Sequence, residues 1–191
     1  VEMGLRVTTE PTVEPVTLTE AKLHCRVDVT DDDTLITRLI SAARSRAEQI
    51  TQRSIAEQSL TLYLDEFPTD AIELLKGPVN TITSVKYYND AGVLTTITST
   101  NYALDATQAT SWVLPAYGYS WPPTQDVGNA VRVEYTAGWA PASVPADIKA
   151  WILAAVAAMY GQREAIAQSD RVPSSVRFID GLLDRWTVAA L

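Results

Sequence analysis

The stretch DIKAWILAAVAAMYGQRE, residues 147–164, holds no charge between Lys149 and Arg163, and from Ala150 to Tyr160 every residue is apolar or aromatic. At about 1.5 Å per residue this run spans little more than half of a bilayer's hydrocarbon core, so it reads as a helix packed against protein. On a helical wheel Ile148, Ile152, Ala155, Val156, Met159 and Tyr160 form one stripe. Leu153 and Ala157 flank it on one side, and Trp151, Ala154 and Ala158 on the other. A helix that is apolar all round is normally buried all round. The remaining helices are few and modest, so part of this surface must meet a β unit or a second copy of the protein. The residues alone leave central burial and an oligomer interface equally open.

Working outward, two helices precede it. TLTEAKLHCRV (17–27) opens the first, with Thr17 as N-cap and Glu20 three residues on. That pair is a capping box, in which hydroxyl and carboxylate each accept from a free backbone N–H. DDDTLITRLISAARSRAEQITQRS (31–54) gives the second, with Leu35, Ile36, Leu39, Ile40, Ala43, Ala47 and Ile50 at helical spacing. Its leading aspartates suit the positive end of the helix dipole.

After Ser54 the period changes to two. SLTLYLDEF alternates Leu60, Leu62 and Leu64 with Thr61 and Tyr63. TSVKYYNDAGVLTTIT reads as two strands about a turn at residues 89–92, and NYALD and TSWVL as short strands. NAVRVEYTAG points Val131, Val133 and Tyr135 inward and Arg132, Glu134 and Thr136 outward. Two prolines make YGYSWPPT (117–124) a loop. The middle of the chain is therefore predicted to be a small antiparallel β unit of about five or six strands.

Helix resumes at VPADIKAW, where Pro145 suits a first turn, and SSVRFIDGLLDRW (174–186) supplies a last short helix. The expected class is α+β: a helical bundle formed by N- and C-terminal helices, with an inserted antiparallel β unit. The expected divisions are an extended arm over 1–16, bundle segments 17–55 and 141–185, a β insertion over 56–140, and an apolar C-terminal tail over 186–191.

Composition narrows the chemistry. Hydrophobic residues make up 47% and charged residues 20%, the mix of a folded globular protein. The net charge is −8, and residues 56–140, with three basic and nine acidic groups, supply six of those charges. A protein built to grip phosphate backbones shows the reverse bias. A single cysteine, Cys25, excludes an internal disulfide. A single histidine, His24, excludes a His–His metal site and leaves little for a catalytic triad. On a helix those two neighbours point about 100° apart, so a structural role suits them better than a shared one. The run Asp31, Asp32, Asp33 lacks the alternation of a calcium loop, and Ile36 stands where its glycine belongs. No glycine-rich phosphate loop or G-x-S-x-G elbow is present. No enzyme activity, cofactor or metal is expected. With no charged-then-apolar leader and no run of roughly 20 apolar residues, the expectation is folding in a cytoplasm without membrane contact.

Three surfaces carry the functional candidates. Arg38, Arg44, Arg46 and Arg53 lie along the second helix; Arg38, Arg46 and Arg53 fall within about an 80° sector, and Arg44 points elsewhere. They read either as a solvated face or as a contact with a neighbouring acidic subunit. Tyr117, Tyr119 and Trp121 form a ligand platform or pin their loop to the β unit. The closing WTVAAL is apolar and β-prone where chains usually fray, which suits a docking strand for a partner.

The order of these pieces carries a resemblance. From EPVTLTEAKLHCRVD (14–28) through DDDTLITRLISAARSRAEQITQRS, LTLYLDEFP, ITSVKYYNDAGV, YSWPPT, NAVRVEYTAGW and VPADIKAWILAAVAAMYGQRE to LLDRW, the chain resembles the bacteriophage and prophage head–tail connectors. These are the gp6-like adaptors, and the likeness is to their longer phiE125 gp8 type. The resemblance implies a structural virion protein without catalysis or cofactor. It implies a ring of about a dozen copies below the portal, extending the DNA channel and joining capsid to neck and tail. The implied partners are the protein itself, the portal and a downstream neck or tail-completion protein, while DNA passes without sequence-specific binding. The implied location is the virion neck, after assembly in the host cytoplasm.

In that setting the candidates for the contact between copies are Arg38, Arg44, Arg46, Arg53, Trp151, Met159, Tyr160 and Arg163. The candidates for insertion into the portal are Trp186, Thr187, Val188, Ala189, Ala190 and Leu191. The alternative function class is a binding module whose aromatic β unit holds a peptide or sugar.

Overall fold

In the computed structural model, which describes residues 3–162 and 181–188, the chain separates into a helical unit (Val13–Ala56 and Trp139–Leu191) and a β unit (Val1–Thr12 and Glu57–Gly138). The helical unit holds α1 (Leu18–Cys25), α2 (Asp33–Thr51), α3 (Ala146–Gly161) and a last helical turn over 181–184. The capping box forms at the start of α1. Glu20 N–H donates to Thr17 Oγ1 at 3.2 Å, and Thr17 N–H donates to Glu20 Oε2 at 2.7 Å. The Thr17 backbone N–H foremost, and then the Thr17 hydroxyl, which donates to Glu20 Oε2 at 2.7 Å, hold the Glu20 carboxyl below its ordinary pKa. The apolar stripe of α2 buries Ile36, Ile40, Ala43 and Ala47 against Ile148, Trp151, Ile152 and Val156 of α3, and Leu183 joins the same core.

The described part of the β unit contains eight strands: β1 (Met3–Thr9), β2 (Gln58–Leu64), β3 (Ile72–Leu74), β4 (Val79–Tyr88), β5 (Leu94–Ile97), β6 (Tyr102–Asp105), β7 (Ser111–Pro115) and β8 (Val131–Ala137). They form an antiparallel five-stranded sheet, β1-β2-β8-β4-β5, and an antiparallel three-stranded sheet, β3-β7-β6. The inner faces of both sheets share one core, including Leu60, Leu62, Val85, Val131, Val133, Ile72, Leu74 and Val113. The alternation predicted for β8 holds, with Val131, Val133 and Tyr135 buried and the residues between them half-buried.

Two strands escape the sequence reading. Residues 3–9 of the expected arm are an edge strand, with Leu5 paired to Leu62 and Val7 to Leu60. Their short alternation is recruited by a partner more than 50 residues away, which no local window registers. β3 has three residues and takes its definition from β7 alone. Helix 174–186 was also expected; of it only 181–186 fall within the described residues, and 181–184 are helical.

Tyr135 ties the two sheets together. Its ring is buried in the shared core and its hydroxyl donates to Leu75 O at 2.7 Å. Burial pushes the phenol well above its ordinary pKa. The neutral form is therefore favoured in the folded state. Its stabilising effect is whole below about pH 10, where the unfolded chain's tyrosine starts to ionise, and is lost as pH rises further. Tyr135→Phe is expected to cost about 1–2 kcal/mol at pH 7 by urea denaturation, because Leu75 O loses its donor. The variant should also lose less stability than the wild type between pH 9 and 11. Equal alkaline losses in both proteins would rule Tyr135 out as the cause.

Candidate functional site

The third long helix, α3, is not enclosed all round. Ile148, Trp151, Ile152 and Val156 are buried, Leu153, Ala154, Ala155, Ala157, Met159 and Tyr160 are half-buried, and Ala150 and Ala158 are exposed. Trp151, which the wheel places on a flank, is 5% exposed and belongs to the core of its own unit. Its indole N–H is buried without a hydrogen-bond partner among the described residues. Met159 and Tyr160 pack at the rim of that core, and Tyr160 Oη donates to Asp32 Oδ2 at 2.5 Å, at the start of α2. The leading aspartates of α2 thus do more than face the helix dipole, since Asp33 also pairs with Lys22 Nζ at 2.6 Å.

The four arginines do not form one strip. Arg38 and Arg46 are exposed on α2, as a solvent-facing pair. Arg44 is buried between two carboxylates, with Nε 2.8 Å from Glu14 Oε2 and Nη1 3.1 Å from Glu48 Oε2. Arg53 departs for a different reason. Gln52 takes a left-handed conformation, φ 55°, and ends the helix, so the wheel no longer applies at Arg53. Its Nε donates to Trp186 O at 2.6 Å, and burial lowers its pKa.

Glu14 and Glu48 were not singled out from the sequence, yet they organise this region. Glu14 accepts from Ser41 Oγ at 2.6 Å as well as from Arg44. Glu48 accepts from Ile55 N–H at 2.9 Å, just beyond the end of α2. The signal available in advance was the spacing of Arg44 and Glu48, four residues apart on a helix.

The carboxyl-terminal segment folds back on its own unit as far as it is described. Trp186 meets Trp139 edge to face, with ring centroids 5.8 Å apart, and Arg185 lies over the Trp186 ring at 4.6 Å. Val188 N–H donates to Thr51 O at 3.0 Å, next to the end of α2. Thr187 is exposed. Arg163, Ala189, Ala190 and Leu191 lie outside the described residues.

In the β unit, Tyr117 is fully exposed, whereas Tyr119 and Trp121 are packed. Trp121 stacks on Phe67 at 4.9 Å with planes 3° apart, Tyr119 meets it edge-on at 6.3 Å, and its Nε1 donates to Asp70 O at 2.9 Å. Two aromatic contacts and the N–H hydrogen bond thus tie Trp121 to its own chain, which pins the loop. Beside Trp121 an open groove of about 500 Å³ is lined by Glu66, Phe67, Pro68, Pro122 and Pro123 among others.

His24 is exposed and Cys25 half-buried, and burial raises the Cys25 thiol pKa, so this thiol is not activated. Among the described residues, no three or more His, Cys, Asp or Glu side chains are grouped to hold a metal. No helix among them is long and apolar enough to cross a membrane.

Comparison with known proteins places this arrangement. A family model described as phage gp6-like head-tail connector protein matches residues 15–111. No curated protein matches the sequence. Among solved structures, a chain in the neck of an empty gene transfer agent particle computed with C6 symmetry superposes with a TM-score of 0.80 at 23% identity. The match covers 98% of this chain and 97% of that one. A chain in the virion of a native gene transfer agent particle gives 0.79 at 22% identity, over 98% and 97% of the two chains. A chain in the native particle's neck computed with C12 symmetry gives 0.77 at 22% identity over the same shares. At these identities the likeness establishes the fold.

Proposed function

Because this chain belongs to the family of phage gp6-like head–tail connector proteins, we propose that it is a ring-forming adaptor of the virion neck, of the phiE125 gp8 type. In this role about a dozen copies sit below the portal, extend the DNA channel and present a face to a later neck or tail-completion protein. The role is structural, without a catalytic step, and follows assembly in the host cytoplasm. The observation that carries the reading is the uneven burial of α3. One face fills the core of its own unit, while Leu153, Ala154, Ala157 and Ala158 leave an apolar flank partly open. Small side chains there permit close approach of a neighbouring helix, and Arg38 and Arg46 offer exposed positive charge on α2 of the same unit.

Charge divides between the units in a way that suits unlike faces. The β unit holds four basic and eleven acidic residues, net −7, and the helical unit eleven basic and twelve acidic, net −1. Rings form from heterologous contacts, one surface meeting a different surface of the next copy. An acidic subunit also repels phosphate, as a conduit that lets DNA slide requires. Electron microscopy of the protein mixed with its portal is the direct test. A closed ring seated on the portal is expected, and free subunits beside bare portal would reject the reading.

The portal contact falls to the tail, 186–191, whose parts differ. Trp186 and Val188 are docked within the subunit, so Ala189, Ala190 and Leu191 are the residues to remove first. Deleting 189–191 is expected to weaken co-sedimentation with portal by roughly tenfold or more while leaving the thermal midpoint within a few degrees. Unchanged portal binding would take the tail out of that contact.

A further inference from the structure

Three of the four basic residues of the β unit lie on one surface. Arg6, Lys86 and Arg132 occupy the outer face of the five-stranded sheet, because their neighbours Leu5, Val7, Val85, Val131 and Val133 point into the core. Lys86 and Arg132 stand directly opposite each other across β4 and β8. Like charges in that position repel. Lys86 is answered by Glu134, with its Nζ 2.9 Å from both carboxylate oxygens. Arg132 makes no ion-pair contact among the described residues, although its charge reaches Glu134 and helps Lys86 hold that carboxyl below its ordinary pKa.

The setting of Arg132 is nevertheless built. Its guanidinium lies over the rings of Tyr63 and Tyr88, at 5.7 and 5.3 Å from their centroids. One Nη2–H donates to Tyr88 Oη at 3.1 Å, and Nε–H is buried with no hydrogen-bond partner among the described residues. Two aromatic faces hold the fork in place, so little side-chain freedom remains to be lost on binding. The buried Nε–H faces the protein, so the terminal Nη groups of this held, partly desolvated guanidinium are the donors left to meet a planar anion that accepts two parallel hydrogen bonds.

We propose that Arg132, clamped between Tyr63 and Tyr88 on the outer sheet face, is an anchor that captures a carboxylate on the β unit of a neighbouring copy. The complementary surface is on the same chain. Residues 65–75 and 89–131 contain no lysine or arginine, and Glu66, Asp70, Asp90 and Asp126 are exposed there. Hydrogen bonds tie these loops into one end of the unit: Asn129 N–H to Asp65 Oδ1 at 2.8 Å, Gln125 N–H to Tyr88 O at 3.0 Å, and Trp121 Nε1 to Asp70 O. A duplex phosphate backbone is the poorer partner for a unit of net −7. Arg132 lies on the sheet face next to the strand ends that carry these loops, so the contact pairs a guanidinium of one copy with a loop carboxylate of the next, unlike groups of the kind that heterologous ring contacts use.

The inference rests on the ring reading above, and the test separates the two. Full-length wild type and Arg132→Glu are compared by mass photometry and electron microscopy, alone and with portal, with circular dichroism confirming the fold. Arg132→Glu is expected to need about 30-fold more protein to assemble, and Arg132→Lys to fall between. Mixing Arg132→Glu with a copy carrying lysine at positions 66, 70, 90 and 126 should restore mixed assemblies. If Arg132→Glu fails to fold, the lysine copy alone, altered only at exposed positions, decides by losing or keeping assembly. Rings of Arg132→Glu at wild-type concentration overturn the proposal. So does normal assembly with weakened binding to a short DNA duplex, which assigns the face to nucleic acid. A wild type that never rings, alone or on portal, defeats the ring reading itself, and this contact with it.

Discussion

Replacing Trp151 by aspartate is expected to unfold the helical unit rather than release well-folded single subunits. Trp151 is 5% exposed and packs in the core that α2 and α3 share with Leu183. The substitution removes a large apolar side chain, leaves a cavity and places a carboxylate in it without a partner. Together these are worth about 4 kcal/mol or more, a large fraction of the stability of an ordinary domain. Loss of helical circular dichroism at 25 °C and a midpoint shifted far down in urea would register it. Trp151→Phe supplies the contrast. The indole N–H makes no hydrogen bond among the described residues, so only volume is lost there, and the cost should stay at about 1.5 kcal/mol, that of a conservative core swap. A soluble, fully helical, monomeric Trp151→Asp protein would show that the side chain serves a contact between copies instead.

Glu48→Ala should be nearly as damaging, through a different mechanism. Glu48 is 6% exposed, yet it carries a carboxylate on the buried side of α2. One oxygen receives Arg44 Nη1 at 3.1 Å and the other the N–H of Ile55 at 2.9 Å. Truncation takes the acceptor from Ile55 and leaves the buried Arg44 guanidinium relying on Glu14. Breaking one side of a buried pair costs about 3 kcal/mol, chiefly because the surviving charge stays out of water. Glu14→Ala should cost less, about 1 kcal/mol, since that carboxylate is partly open to solvent and can be replaced by water. Equilibrium unfolding of both variants in urea checks the order. A Glu48→Ala protein as stable as wild type would mean that the pair is not holding α2 to the chain that follows it.

The family was readable from the order of segments along the chain, and the core of the fold because its signals are local. Thr17 and Glu20 announce the first helix through a capping box that depends on four consecutive residues. The stripe from Leu35 to Ile50 announces the second, and the alternation about Val131, Val133 and Tyr135 announces the central strand. The interaction surfaces were less legible. Arg38, Arg44, Arg46 and Arg53 look alike in sequence, but Arg44 finds Glu14 and Arg53 finds Trp186 O, 133 residues away. Only Arg38 and Arg46 stay in solvent. In sequence Arg132 reads simply as outward-facing, because its two tyrosines come from different strands.

Periodicity and capping are properties of neighbouring residues, so the amino-acid order was enough to specify helix, strand, the α+β class and the insertion of β structure between helices. Which side of α3 is covered, where residues 3–9 pair, and which arginines are consumed inside the subunit were settled by three-dimensional packing. Apart from close pairs such as Arg44 and Glu48, burial and hydrogen-bond satisfaction depend on partners brought together from distant points in the chain, which local patterns do not encode.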